Sequence, residues 1–361
     1  MTKEKKVLVW FGSIDDFINK TGHTGGINVQ MYFWAKTFSQ KDWTVYTFSE
    51  RGFTGVLESI HFISNKVNKL FLKLHLGIVQ EIVSIFRGVI AKRPDVIIVR
   101  GACRVLHPLS IICKLYKIKL VFFGASDVNF VPGRDGSGVS VRLYRKALKR
   151  TPYIVAQNEF QQKMAEKNYG KKPIILFNLW NAIDVEKSAK YVYDAIWVSN
   201  LSPVKQAELY LELAKKLPEY KFAIVGGVRN QAYYNRIEVE ARSIENLEFL
   251  GYRNFDDISR LISSSKLLIC TSEHEGFPNT FLQAWAMNVP VISTVNPSDV
   301  ITKYNLGYYV GNVEDMEKKV RYLIENDEYR YKVSDNISSY FVANHSCDGA
   351  FEKLIGYLYG Q

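Results

Sequence analysis

Thr271-Ser272-Glu273-His274-Glu275-Gly276-Phe277-Pro278-Asn279-Thr280-Phe281-Leu282-Gln283-Ala284-Trp285-Ala286 follows the apolar run Leu267–Cys270. A short apolar run closed by polar residues reads as a buried strand. Pro is tolerated in a first helical turn and Asn is a good cap, so a helix starts near Pro278 or Asn279. The free N–H groups of such a helix start, with the helix dipole, suit an oxygen-rich or anionic ligand. Glu275, just before the helix, accepts hydrogen bonds from hydroxyl groups, and Gln283, eight residues on, reaches the same ligand. The bland alternative is a turn packed for its own sake, with Glu273 and Glu275 as solvated charges. A turn of that kind rarely needs a carboxylate, two turn residues and a helix-borne amide together.

Along the whole chain β-branched runs alternate with helical patterns, the pattern of βαβ units and parallel sheets. Val7–Phe11, Val45–Phe48, Val96–Val99, Leu120–Phe123, Tyr153–Ala156 and Ile174–Phe177 read as strands of a first sheet. A loop ending in Gly25-Gly26 leads into a helix over 27–40, and residues 58–92 carry helical periodicity. The pattern restarts with Ala195–Ser199, a helix over about 205–216, and strands at Phe222–Val225, Leu247–Leu250, Leu267–Cys270 and Val291–Ile292. The fold class is therefore α/β with two Rossmann-like domains. The expected division is 1–186, 187–339, and a C-terminal helical stretch over 340–361, carrying Tyr340, Phe341, Phe351, Leu354, Ile355 and Leu358. Open parallel sheets bind ligands at the carboxyl ends of their strands, so two such sheets facing each other suit transfer between two ligands.

At 361 residues the chain exceeds what one core usually supports. Its four cysteines, Cys103, Cys113, Cys270 and Cys347, lack metal-type spacing or a disulfide framework, and suit a reducing compartment. The N-terminal apolar run is too short for a signal peptide, and no stretch is apolar enough to span a membrane. Net charge is +11 and unevenly spread: 30 Lys and Arg against 14 Asp and Glu over residues 1–190, but 17 against 22 over 191–361. A basic first half suits anionic lipid, nucleic acid or an anionic soluble substrate, or merely gives a soluble surface.

Glu275-Gly276-Phe277-Pro278, then Gln283-Ala284, then Asn288-Val289-Pro290-Val291-Ile292 resemble the signature of the retaining glycosyltransferases of family 4, which have the GT-B fold. That signature is a Glu, seven residues and a second Glu, with Gly-Phe-Pro or Gly-Phe-Gly after the first. The resemblance implies that Glu275 contacts the donor sugar and that Gln283, an amide where the family has Glu, holds the ribose hydroxyls. It also implies a C-terminal helix crossing back to the first domain. Val198-Ser199-Asn200-Leu201-Ser202-Pro203-Val204-Lys205 resembles the family's Gly-Arg-Leu, three residues and Lys-Gly segment. Lys205 is kept as the cation for the diphosphate, whereas Asn200 stands in place of Arg and Gln206 in place of Gly. Arg229, just beyond the Phe222–Val225 strand, is a candidate for the missing charge.

Gly25-Gly26 resembles the glycine loop before the family's first long helix, although an ordinary turn explains it equally well. Asp127, after the strand Leu120–Phe123, either contacts an acceptor or sugar hydroxyl or caps a turn. Gly226-Gly227 and Gly251-Tyr252-Arg253 either frame the nucleotide or are plain turn chemistry. Phe177-Asn178-Leu179-Trp180-Asn181-Ala182-Ile183-Asp184 resembles the family's Pro-Asn-Gly-Val-Asp segment before the second domain. The candidate catalytic residues are Glu275, Lys205 and Asp127. The candidate donor-binding residues are Gly25, Gly26, Asn200, Gly227, Arg229, Tyr252, Gly276, Phe277, Pro278, Asn279, Thr280 and Gln283.

The implied reaction is front-face transfer with retention, from a nucleotide-diphosphate sugar to a glycan or lipid-linked acceptor in cell-surface polysaccharide synthesis. No metal or other cofactor is required, and a UDP-sugar is favoured over a GDP-sugar as donor. Ile60, Phe62, Leu70, Phe71 and Leu74 alternate with Lys66, Lys69, Lys73 and Arg87, and Arg142, Arg145, Lys146, Lys149 and Arg150 form a basic run. Basic helices with apolar neighbours suit an anionic membrane surface, here the inner face of the cell membrane, unless the apolar face is needed inside. The expected location is cytoplasmic and membrane-peripheral. No recognised nucleic-acid motif accompanies the charge, so no nucleic-acid partner is expected. The competing class is a degenerate GT-B protein that binds nucleotide sugars or a partner enzyme without turnover, motivated by Asn200 and Gln283.

Overall fold

The computed structural model describes residues 5–10, 18, 26–49, 52–64, 77–103, 105–133, 139–180 and 191–360. The chain divides into two compact units, 1–179 with 347–361, and 180–346.

The first unit is built on an eight-stranded sheet in the order β3-β4-β2-β1-β5-β6-β7-β8. Its strands are β1 (Lys6–Trp10), β2 (Thr44–Ser49), β3 (Gly55–Leu57), β4 (Ile60–Ser64), β5 (Val96–Arg100), β6 (Lys119–Phe123), β7 (Tyr153–Ala156) and β8 (Ile174–Ile175). All pairings are parallel except β3 with β4. Val7, Leu8 and Val9 of β1 and Val96 to Val99 of β5 are fully buried, as strands covered on both faces require. The helices are α1 (Gly26–Gln40), α2 (Gly77–Lys92), α3 (Leu106–Leu115), α4 (Val139–Arg150) and α5 (Glu159–Tyr169). Ile85 and Val89 of α2, Leu109 and Ile112 of α3, and Ala147 and Leu148 of α4 share one core with Leu8, Ile97, Val99 and Phe122 of the sheet. Gly26 opens α1, while Gly25 lies outside the described residues.

The second unit carries a six-stranded parallel sheet in the order β11-β10-β9-β12-β13-β14. Its strands are β9 (Tyr193–Val198), β10 (Phe222–Val225), β11 (Leu247–Gly251), β12 (Ser265–Cys270), β13 (Val291–Ser293) and β14 (Gly307–Tyr309). Between them run α6 (Ala207–Lys216), α7 (Gln231–Arg242), α8 (Phe255–Ser263), α9 (Asn279–Ala286) and α10 (Val300–Tyr304), and α11 (Val313–Glu325) and α12 (Asp327–His345) follow. Asn230, Asn254, Asn312 and Asn326 cap α7, α8, α11 and α12, each side chain accepting from the backbone N–H three residues on. That is the usual remedy for the orphan donors of a helix start.

The last helix, α13 (Cys347–Tyr359), belongs to the first unit. Phe351 meets Phe38 edge to face at 5.1 Å, and Asp348 pairs with Lys41 at 2.7 Å. At its far end the carbonyl of Leu358 accepts from Lys119 Nζ at 2.9 Å.

The structure departs from the expectations at two points. The span 58–92 is not helical throughout: Ile60–Ser64 is a strand paired with β2, so Ile60 and Phe62 are buried in the sheet and cannot face a membrane. Lys66, Lys69, Leu70, Phe71, Lys73 and Leu74 lie outside the described residues. The return to the first unit starts at 347 and not 340, because Tyr340 packs on Trp285 and Tyr304 inside the second unit, at 5.5 and 4.6 Å. The expected boundary at 186 and 187, and Asn181 to Asp184, lie outside the described residues.

Candidate active site

Strands β9 and β12 are neighbours at the centre of the second sheet, so the segments leaving their carboxyl ends run side by side. Hydrogen bonds lace the two segments together. Trp197 Nε1 donates to Thr271 Oγ1 (2.9 Å), Thr271 Oγ1 donates to the Lys205 carbonyl (2.8 Å), and the Glu273 amide donates to the Val204 carbonyl (2.9 Å). The tight turn Pro203–Lys205 ends at Gln206, which takes the left-handed conformation with φ 47° and ψ 50°. That is the glycine position of the sequence pattern, occupied here by a residue that pays a steric cost for it.

The lacing brings Lys205 and Glu275 together. Lys205 Nζ donates to Glu275 Oε1, and Ser272 Oγ donates to the same oxygen at 3.0 Å. Both side chains of the pair are 20% exposed. Glu275 Oε2 takes no hydrogen bond among the described residues and is available to a hydroxyl group. Ser272 was not singled out in the sequence; its side chain orients the carboxylate.

After Gly276, Phe277 is buried against Trp285 and His345, with ring centroids 6.1 and 5.5 Å away, and this anchors the turn. Helix α9 then starts at Asn279, with Pro278 in the capping position and no side-chain cap. Unlike the asparagine-capped helices, α9 has no side-chain cap at its start. Asn279 and Thr280 are partly exposed in the first turn. Gln283, one face further along, is only 6% exposed, and its amide makes no hydrogen bond among the described residues. A cavity of about 500 Å³ adjoins this region, lined in part by Gln206, Ser272, Glu273 and Thr294 and by the first turn of α11.

A second cluster forms at the ends of β9, β10 and β11. Leu201 and Val228 form a parallel bridge, the Leu201 amide donates to the Gly227 carbonyl (2.9 Å), and the Gly226 amide donates to the Gly251 carbonyl (3.0 Å). Asn200 and Arg229 each sit one residue from that bridge, and both are exposed. No ion pair engages Arg229 among the described residues. Tyr252, 47% exposed, follows the β11 end.

Asp127 belongs to the other unit, as does Gly26. Asp127 opens the short turn Asp127–Phe130, but Asn129 Oδ1 ties that turn by accepting from the Ala125 and Ser126 amides (2.8 and 3.0 Å). Asp127 Oδ1 instead accepts from Asn158 Nδ2 (3.2 Å) and Gln161 Nε2 (3.1 Å). The same strand ends hold a residue that sequence reasoning missed, Arg100, the last residue of β5 and buried. Its only sequence signal is a charge closing the apolar run Val96–Val99.

The family described as "Glycosyl transferases group 1" matches residues 180–339. An uncharacterized glycosyltransferase of Methanocaldococcus jannaschii is 23% identical over 200 residues, covering 54% of this chain and 56% of that protein. The poly(ribitol-phosphate) alpha-N-acetylglucosaminyltransferase of Staphylococcus aureus is 26% identical over 197 residues, covering 50% of this chain and 38% of that protein. The chain thus spans about half or less of the length of these two curated relatives. Among solved structures, a glycosyltransferase from Rickettsia africae superposes with a TM-score of 0.73 at 17% identity, over 98% of each chain. The two-sheet fold is therefore that of known GT-B proteins. Among the described residues, no helix is long and apolar enough to cross a membrane.

Proposed function

We propose that the chain, whose residues 180–339 match the group 1 glycosyltransferases, moves a sugar from a nucleotide-diphosphate sugar to a glycan or lipid-linked acceptor, with retention. The observation that carries this reading is the convergence of Lys205 and Ser272 on one carboxylate oxygen of Glu275, beside a helix start that no side chain caps.

In this reading Lys205 and the first N–H groups of α9 hold the departing diphosphate, where positive groups fixed in advance contribute most to the rate. Glu275 Oε2 takes a donor-sugar hydroxyl, and buried Gln283 supplies its amide to the ribose. Asn200, Gly227 and Tyr252 frame the nucleotide, and Arg229 supplies the second cation that Asn200 does not. Asp127, held by two amides, accepts from an acceptor hydroxyl. The departing phosphate oxygen takes the acceptor proton, so positioning and electrostatics do most of the work. The match to a staphylococcal enzyme named for a ribitol-phosphate polymer supports a role in cell-surface polysaccharide synthesis.

Membrane association belongs to the same proposal. Val79, Val83 and Phe86 form an exposed stripe along α2, Ile111 and Leu115 are exposed on α3, and Arg142, Lys146, Lys149 and Arg150 are exposed on α4. Apolar and basic groups exposed together on one layer of helices suit an anionic leaflet. Flotation with anionic and neutral vesicles tests this: equal recovery at low salt with both kinds ends it.

The reaction is tested by thermal shift with UDP-, GDP- and ADP-sugars, followed by analysis of the anomer formed on lipid-linked acceptors. Absence of any stabilisation at millimolar nucleotide sugar refutes the transferase reading. Donor binding with neither hydrolysis nor transfer makes the chain a nucleotide-sugar binder without turnover.

A further inference from the structure

Arg100 is 4% exposed, and among the described residues no carboxylate pairs with it. One terminal nitrogen, Nη2, donates to Asn178 Oδ1 at 2.7 Å, and the Gln157 amide lies against both groups. Its Nε is buried and has no hydrogen-bond partner among the described residues. From there amides lead outward: the Gln157 backbone N–H donates to Gln161 Oε1 (2.9 Å), and Gln161 Nε2 donates to Asp127 Oδ1 (3.1 Å). The carboxylate this network reaches is thus separated from the guanidinium by amide groups, which relay polarity without neutralising the charge. Burial holds Arg100 down to about 9, which leaves it cationic at neutral pH.

A buried guanidinium with no opposing charge is strongly disfavoured, and proteins seldom keep one without a partner. This one sits at the carboxyl end of β5 beside the ends of β6 and β7, where open parallel sheets take ligands. The adjoining strand ends are nearly bare of side chains: Gly101 with φ 72°, Ala102 and Gly124-Ala125. A Cβ on Gly124 would lie 2.6 Å from the Phe130 ring and 2.7 Å from Gln161 Oε1, so that position excludes any larger residue.

We infer that Arg100 receives an oxyanion of the acceptor, a phosphate or a carboxylate, through the guanidinium donors that no described residue engages, so that the acceptor is acidic and not a neutral glycan. That the oxyanion belongs to an acceptor rests on the transferase reading above; the anion site does not. A fork of N–H donors matches the oxygens of either group.

The test uses the full chain with inorganic phosphate, glycerol 3-phosphate, acetate and glycerol as probes, read by thermal shift and by the Arg100 Nε–H signal in ¹⁵N-arginine spectra. The oxyanions are expected to move the Nε–H signal and raise Tm, and glycerol to do neither; phosphate against acetate identifies the group. Arg100→Met should weaken oxyanion binding at least about tenfold, as loss of a charge-assisted bond does. UDP binding to the same variant checks that the chain has folded, and the wild-type Nε–H signal needs no variant at all. A response that survives Arg100→Met and disappears in Lys205→Ala puts the oxyanion at the donor side and overturns the inference, as does an Nε–H signal that no oxyanion moves. Loss of nucleotide-sugar binding in the wild type, with the Arg100 response intact, would strike the transferase reading and leave the anion site standing.

Discussion

Lys205 Nζ and Ser272 Oγ donate to the same atom, Oε1 of Glu275, so the one carboxylate oxygen that neutralises the lysine is also held in place by a hydroxyl. Any diphosphate that uses Lys205 shares it with Glu275. Glu275→Gln should therefore tighten UDP binding about fivefold, on the order of 1 kcal/mol, while lowering transfer at least about 100-fold. Calorimetry with UDP alongside turnover measurements checks both halves; weaker UDP binding in the variant contradicts the sharing.

Gln206 holds a left-handed conformation at the end of the Lys205 turn. Replacing it with glycine removes the Cβ clash of that conformation, and Gln206→Gly should stabilise the protein by about 1 kcal/mol. Urea unfolding measures this. A loss of stability would mean that the Gln206 side chain contributes more than its backbone strain costs.

Gly226 is confined in the opposite sense. A Cβ there would stand 2.3 Å from the Ser199 carbonyl oxygen, a backbone atom that cannot swing aside. Gly226→Ala should cost about 3 kcal/mol and weaken nucleotide binding, because the ends of β9 and β10 must separate. A variant with wild-type Tm would show that the two strand ends yield easily.

His107, on α3, is held below its ordinary value of 6.5 by burial first, then by the Arg150 guanidinium and the Lys146 ammonium of α4. The unfolded chain then binds the proton more readily than the folded one. The contribution to stability is full above about pH 6.5 and is lost as pH falls toward the lower folded value. His107→Gln should flatten that slope in denaturation curves. Anionic vesicles seated near Arg150 and Lys146 should raise the His107 titration followed by NMR, and neutral vesicles should not.

Much of the fold is legible in the residues because parallel strands covered on both faces are nearly continuous apolar runs; Val96–Val99 and Leu267–Cys270 are unmistakable. Ile60–Ser64 is not, since five residues with apolar groups at 60, 62 and 63 fit a strand and a helix alike, and basic residues follow. The three residues of β14 at the sheet edge are too few to show a period. At the site, Lys205 and Glu275 stand out by motif, but their direct pairing depends on β9 and β12 being neighbours across 70 residues. Ser272 and Arg100 owe their meaning to contacts that no local pattern encodes: a serine is ordinary at a strand end, and an arginine there reads as solvated until burial is known.

The helix Cys347–Tyr359 completes the first unit only after residues 180–346 have been synthesised. On the ribosome, the second unit can therefore close while the first still lacks the partner of Phe38, Lys41 and Lys119. During that interval the edge of Phe38 that meets Phe351 stays uncovered, and a chain shortened before Phe351 leaves it so for good.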